Sequence, residues 1–275
     1  MTPATILDGR KVAAEIKSEL KVRINGRKIG LGTILVGNDP ASASYIDGKH
    51  RDCAEVGITS IRRELPSDIS ESALINEIEA LNSDQRCTGF IVQLPLPKEI
   101  STSRIIEAID PRKDADGLHP LNLGRLVMGE PSPLPCTPLA IIELARRYSI
   151  EWAGKDVVII GRGMTVGRPL SLLLSRKSEN ATVTLLHSAS RDIASHTRRA
   201  DIVIAALGKA EFLRAAMIKP GAVVFDVGLS RINNRLVGDV HSDVIEVAAA
   251  MTPVPGGVGP MTRAMLLSNV VSLAE

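Results

Sequence analysis

Four side chains in the first half of the chain have types and spacings suited to chemistry. Tyr45-Ile-Asp-Gly-Lys49 sets a phenol and an ammonium four residues apart, which a helix would place on one face. Such a pair can polarise a carbonyl or manage a proton, although many pairs of this spacing are ordinary half-exposed neighbours. Gln93 sits in Gly89-Phe-Ile-Val-Gln-Leu-Pro-Leu-Pro97, where an apolar run meets a proline-rich turn. The C-terminal edge of a strand is where α/β proteins bind ligands, and an amide buried among apolar residues needs a partner. Lys113-Asp114-Ala-Asp116-Gly117 pairs two carboxylates beside a glycine. That pattern suits a plain turn, or an acid that accepts two hydrogen bonds from an amino-pyrimidine ring.

A second constellation lies past the middle of the chain. Val157-Val-Ile-Ile-Gly161-Arg-Gly163-Met-Thr-Val-Gly167-Arg-Pro169 reads as a buried strand, three glycines and a helix. Glycines permit the tight turn and the close approach of a pyrophosphate, which sits on the helix N-terminus. The spacing G-x-G-x-x-x-G is one residue longer than the usual fingerprint, so a plain strand-to-helix turn is the rival reading. The next strand ends His187-Ser188-Ala189-Ser190-Arg191 and meets no carboxylate until Asp192. An NAD enzyme usually places an acid there for the ribose hydroxyls. Arg162, Ser188 and Arg191 suit a 2′-phosphate instead, which favours NADP.

The elements that must position these groups alternate. A helix capped by Asp8 carries Val12, Ile16 and Leu20 on one stripe. Strands are expected at Leu31–Val36, Ile58–Leu65 and from Gly89 to Leu94, with helices over Ser42–Val56 and Ser70–Leu81. Asp110–Pro138, with six prolines, reads as a long functional loop leading into a helix at Leu139–Tyr148. Four short buried strands follow, at 157–160, 183–186, 202–205 and 223–226. Thr252–Pro260 reads as a loop and Met261–Leu273 as a closing helix. The alternation predicts α/β architecture with mostly parallel sheets. Two domains are expected: residues 1–138 joined by the helix 261–275, and residues 139–260 as a Rossmann-like half.

Composition removes other classes. Aromatic residues make up 2%, so stacking of nucleic-acid bases is no main activity. A net charge of +2 without a basic block points the same way. Cys53, Cys87 and Cys136 are odd in number and scattered, which speaks against disulfides or a C-x-x-C site. The five histidines lack metal-site spacing, so no metal is expected. The N-terminal stretch has no apolar leader and no apolar run approaches a membrane span. A cytoplasmic protein is the expectation.

Seven segments together, in order, resemble the bifunctional methylenetetrahydrofolate dehydrogenase/cyclohydrolase family. They are Val36–Lys49, Gly89–Pro97, Asp110–Pro120, Pro135–Pro138, Gly161–Pro169, Lys219–Gly228 and Thr252–Thr262. The resemblance implies NADP-dependent oxidation of methylenetetrahydrofolate, then hydrolysis of the methenyl product to formyltetrahydrofolate. It implies that Tyr45, Lys49, Gln93 and Asp116 are the active-site residues and that Pro255, Gly256 and Gly257 form a substrate-side loop. It implies cofactor contacts at Gly161, Arg162, Gly163, Thr165, Val166, Gly167, Ser188 and Leu229. An N-terminal catalytic domain and a Rossmann-like NADP-binding domain with a cleft between them are implied too, as is a homodimer joined through the cofactor domains. The family usually has Ser where Gly163 stands, so one contact to the cofactor phosphates is in question. The rival readings are another NADP-dependent dehydrogenase and a non-catalytic NADP sensor. The sensor would leave Tyr45, Gln93 and Asp116 without a purpose.

Overall fold

The computed structural model describes residues 4–232 and 235–275, with side chains for all of these except residues 40, 41, 43 and 44. Residues 1–3, where the leader reading begins, lie outside the described residues. In chain order the first elements are β1 (Thr5–Ile6), α1 (Gly9–Ile24), β2 (Gly30–Val36), α2 (Pro40–Val56), β3 (Thr59–Leu65), α3 (Glu71–Ser83), β4 (Gly89–Val92), α4 (Thr102–Glu107), α5 (Pro120–Met128) and α6 (Cys136–Arg147). There follow β5 (Asp156–Ile160), α7 (Gly167–Leu174), β6 (Thr182–Leu186), α8 (Ile193–Thr197), β7 (Ile202–Ala205), β8 (Val223–Asp226), β9 (Ser230–Ile232), β10 (Arg235–Val237), β11 (Ala250–Met251) and α9 (Val258–Leu273).

Contacts divide the chain into two compact units. One holds Ala14–Cys136 and Arg263–Glu275, the other Met1–Ala13 and Thr137–Thr262. In the first unit, β2 is the centre of a three-stranded parallel sheet in the order β3-β2-β4. Every residue of β2 is buried, as a central parallel strand covered on both faces requires. Helix α2 returns the chain from β2 to β3, and α3 from β3 to β4. Leu74, Ile78 and Leu81 of α3 pack with Ile34, Phe90 and Ile105 in one apolar cluster. Each such fully buried side chain contributes about 1.5–3 kcal/mol.

The second unit carries a six-stranded parallel sheet in the order β1-β11-β8-β7-β5-β6. From β5 the chain goes first to β6 on one side and then to β7 on the other. The reversal of direction creates a switch point at the C-terminal end of β5, the place where such sheets bind ligands. Val158, Ile160, Val203, Ala205 and Val224 lie in the core that supports it.

Three expectations change. Residues 1–138 do not form one unit, because β1 pairs in parallel with β11: the Thr5 amide donates to the Ala249 carbonyl at 2.8 Å and that of Leu7 to Met251 at 2.9 Å. The stretch 110–138 is not loop throughout, since it contains α5. Pro120 stands in the first turn, where a missing N–H costs nothing, and His119 Nδ1 accepts from the Leu121 amide at 3.0 Å. Helix α9 begins at Val258 rather than Met261, with Pro260 again tolerated in a first turn.

Candidate active site

The site in the first unit begins with α2. Asp39 caps this helix by accepting from the Ser42 amide at 2.8 Å, with proline in the first turn. The helical spacing then brings Lys49 Nζ to 4.7 Å from the centroid of the Tyr45 ring, over its face. Lys49 is buried, at 5% exposure, so its ammonium needs a partner. Gln93 supplies it from just beyond β4, with Oε1 accepting from Lys49 Nζ at 3.0 Å. The other half of that amide is committed, Nε2 donating to the Leu94 carbonyl at 2.7 Å, which fixes which end faces the lysine. The Gln93 amide N–H in turn holds the Ile34 carbonyl at 2.9 Å, so the residue is anchored to β2.

The two carboxylates of Lys113–Gly117 separate into two tasks. Asp114 is the turn former. Its buried carboxylate accepts from the amides of Gly117 at 3.0 Å, Leu118 at 3.2 Å and His119 at 2.8 Å, and from Asn122 Nδ2 at 2.9 Å. Gly117 has φ +70°, and a Cβ there would lie 2.4 Å from the Leu134 carbonyl carbon. Asp116 is left half-buried, its charge coupled to Lys49. Burial pushes the Asp116 carboxyl up, with the Lys49 ammonium opposing and Asp114 reinforcing. Burial pushes the Lys49 ammonium down, and the attraction of Asp116 offsets only part of that. Both groups are therefore drawn toward their neutral forms.

Two contributors carried no separate signal in the sequence reading. The Cys136 thiol donates to the Ala115 carbonyl at 3.3 Å and lies within reach of the Asp116 carboxylate, which, with burial, pushes the thiol up. Asn269 of α9 donates from Nδ2 to the carbonyls of Ala115 at 3.0 Å and Leu134 at 2.8 Å. It thereby pins the loop that presents Asp116. Cys136 lies inside the Pro135–Pro138 segment; Asn269 lies in the closing helix and belongs to no motif.

In the second unit, Gly161 closes β5 with φ +122°, and a Cβ on it would sit 2.0 Å from the Ala206 carbonyl oxygen. Gly167 opens α7 so close to Gly161 that a Cβ would lie 1.8 Å from the Gly161 oxygen. A Cβ on Gly163, by contrast, would meet nothing within 4 Å. The turn is thus closed beneath and open above, with Arg162, Gly163 and Thr165 exposed and no side chain capping the α7 amides at Val166. Such a turn suits an anionic ligand. Ser188 and Arg191 are exposed beyond β6. Asp192 is taken up by the start of α8, accepting from the Ser195 amide at 3.1 Å, so the first carboxylate after β6 is committed to a helix cap. Leu229, after β8, is 60% exposed. Pro255, Gly256 and Gly257 precede α9, and the Gly256 carbonyl accepts from the Arg10 amide at 3.1 Å. The structure thus gathers Tyr45, Lys49, Gln93 and Asp116 in one unit. It gathers the glycine turn, Ser188, Leu229 and the 255–257 loop in the other. No cluster of three or more metal-ligating side chains occurs among the described residues.

Comparison with known proteins finds matches over both units. A family model for the catalytic domain of tetrahydrofolate dehydrogenase/cyclohydrolase matches residues 7–116, and one for its NAD(P)-binding domain matches residues 135–275. A bifunctional methylenetetrahydrofolate dehydrogenase/cyclohydrolase from Campylobacter jejuni is 43% identical, with TM-score 0.95 over 98% of each chain. The methylenetetrahydrofolate dehydrogenase-cyclohydrolase of Trypanosoma brucei, solved with NADP cofactor and inhibitor, is 41% identical, with TM-score 0.93 over 99% of this chain and 98% of that one. A bifunctional relative from Thermoplasma acidophilum is 36% identical, with TM-score 0.92 over 98% of each.

Proposed function

The chain belongs to the tetrahydrofolate dehydrogenase/cyclohydrolase family, and on that premise we propose how its residues divide the oxidation of methylenetetrahydrofolate with NADP and the hydrolysis of the methenyl product. The observation that carries the proposal is the buried Lys49 ammonium, held at 3.0 Å by Gln93, against Tyr45 and coupled to Asp116.

NADP, when bound, accepts hydride at C4 of its nicotinamide. The open face of the Gly161–Gly167 turn fits its pyrophosphate, because the one glycine without a packing role, Gly163, faces free space. Arg162, Ser188 and Arg191 hold the 2′-phosphate. Thr165, Val166, Gly167 and Leu229 complete the cofactor contacts. Loss of hydride from the methylene carbon leaves a delocalised cation, so this step needs no acid or base. The chain's task there is orientation. Asp116 accepts paired hydrogen bonds from the pterin end and sets its register, Tyr45 lies against the ring, and Pro255, Gly256 and Gly257 line the substrate-side loop.

Hydrolysis makes the second demand. A water oxygen bonds to the methenyl carbon and gives up both of its protons in turn; one carbon–nitrogen bond breaks as its nitrogen takes up one proton, and the other is released to solvent, leaving the neutral formyl product. Lys49 manages these transfers. Its lowered pKa supplies neutral amine to accept the proton from water, and the resulting ammonium stabilises developing oxygen charge. Gln93 holds the amine in place throughout.

The formyl product serves one-carbon transfers, among them those of purine biosynthesis. A cytoplasmic setting is supported by three cysteines that are all free and buried. A homodimer through the cofactor unit is supported by the β9–β10 pair, where Ile232 is 44% and Leu236 38% exposed. The test of the activity is an absorbance assay with methylenetetrahydrofolate and each dinucleotide. NADPH and methenyl product are followed together: NADPH should accumulate while methenyl product passes through a transient. NADP binding without turnover would select the sensor, and turnover of another substrate without folate binding another dehydrogenase.

A further inference from the structure

One charged group near Lys49 has no part in the mechanism above. Arg263 of α9 lays its side chain over Gly48, the residue before the lysine. A methyl group built on Gly48 would come within 3.4 Å of Arg263 Cδ and Nε. The bare backbone of α2 at Gly48 therefore lets this cation pack against the helical turn that carries Lys49, close enough for its charge to act on the ammonium. Asp52, one turn further along α2, holds it there: Arg263 Nε donates to Asp52 Oδ2 at 2.6 Å, and Asp52 Oδ1 accepts from Lys17 at 3.0 Å. The Lys17 ammonium is shared with Glu55. Asp52 and Lys17 are well shielded, with side-chain exposures of 11% and 14%, and that of Arg263 is 27%. A carboxylate bridging two cations in such a place costs more than an exposed ion pair, and it fixes the guanidinium in position.

We propose that Arg263 is a positioning residue for the hydrolytic step: clamped by Asp52 over Gly48, it sets the charge state of Lys49 through like-charge repulsion. The groups that face Lys49 divide by sign. Asp116 favours its charged form, while burial and the Arg263 guanidinium favour the neutral amine; the nearby Cys136 and Cys53 thiols are pushed up by burial and stay uncharged. Gln93 and Tyr45 orient the amine without carrying charge. Removing the Arg263 charge removes one of the two influences that favour the amine. The Lys49 pKa then rises, and at a given pH less of the lysine is free to accept a proton. The consequence for rate rests on the reading of Lys49 as the proton-managing group; the coupling itself does not.

The test uses full-length protein with isotope-labelled lysine. The Lys49 side-chain signal is assigned by its loss in Lys49→Gln and titrated by NMR, beside pH profiles of both activities. In Arg263→Gln the Lys49 signal should titrate at higher pH, and the rising limb of hydrolysis should move with it. Hydrolysis at pH 7 should drop by about threefold or more, the scale of one charge acting through a partly shielded site. The dehydrogenase pH profile should stay in place. Arg263→Lys, which keeps the charge, should restore the wild-type hydrolysis profile. Arg263→Met keeps the apolar stem over Gly48 and serves as the neutral variant if Arg263→Gln is unstable. An unchanged Lys49 titration in the neutral variant overturns the proposal, as does an equal loss of both activities with no shift in either profile. A shifted titration with an unmoved hydrolysis profile upholds the coupling and removes Lys49 from the hydrolytic role instead.

Discussion

The candidate site residues of the two units are built on opposite plans. In the first unit the working groups are withdrawn from water and tied to one another: Lys49 is 5% exposed and bonded to Gln93, and Asp116 sits in a loop held by Asp114, Cys136 and Asn269. In the second unit Arg162, Gly163, Thr165, Ser188 and Arg191 are exposed, and the backbone glycines do the shaping. The difference follows from the tasks. Managing a proton near neutral pH requires an amine moved off its ordinary pKa, and only burial and fixed charges do that. Holding a dianionic phosphate requires amides and cations that remain open to an incoming ligand. Substitutions in the first unit should therefore separate activities and have large effects. Those in the second should separate cofactors and have smaller ones.

The largest expected effect is at Lys49. Lys49→Gln keeps a polar side chain but removes the amine, so cyclohydrolase activity should fall by ~10²-fold or more, the scale of a lost proton-transfer group. Dehydrogenase activity should persist, and methenyl product should build up in a stopped-flow absorbance trace. Equal loss of both activities would make the lysine a scaffold residue and erase the contrast. Next comes Asp116→Asn. Loss of a charge-assisted hydrogen bond costs about 1.5–3 kcal/mol, so folate affinity measured by calorimetry should weaken roughly ten- to hundredfold while NADP affinity holds. Normal folate binding would reduce Asp116 to a turn residue, the part Asp114 already plays. In the second unit, Arg162→Ala should weaken NADP by about tenfold, since an exposed charged contact is worth less than a buried one. NAD binding should hardly move, and equal losses would remove Arg162 from the 2′-phosphate. The smallest effect belongs to Gly163→Ser. Free space at this position admits the side chain, and a new hydroxyl should tighten NADP by about threefold at most. A loss of cofactor affinity would mean that the open face is needed bare.

How far each part could be read from residues follows from the range of the interactions. Tyr45 and Lys49 were legible as a pair because four residues is one helical turn, and α2 keeps that spacing. The glycine turn was legible because its function is local backbone geometry. The short strands of the second unit were legible as runs of β-branched and apolar residues. The strand β1 was not: two exposed residues, Thr5 and Ile6, become a strand only because β11 offers them a parallel edge. Helix α5 hid among prolines that turned out to stand at or beyond its ends.

Local sequence determined helices α1, α2, α3 and α6, the glycine turn, the absence of a carboxylate at the end of β6 and the ordered motifs that place the chain in its family. Those properties depend on residues within a few positions of one another, where spacing is geometry. Tertiary structure alone decided which of Asp114 and Asp116 shapes the turn and which faces the lysine, and that Gln93, 44 residues from Lys49, is its hydrogen-bond partner. It also decided that Arg263, 211 residues from Asp52, lies over Gly48. The charge state of Lys49 belongs to this second group. It is set by burial and by cations and carboxylates that the fold brings together from α2, the loop after β4 and α9, and no spacing in the chain encodes a dielectric environment.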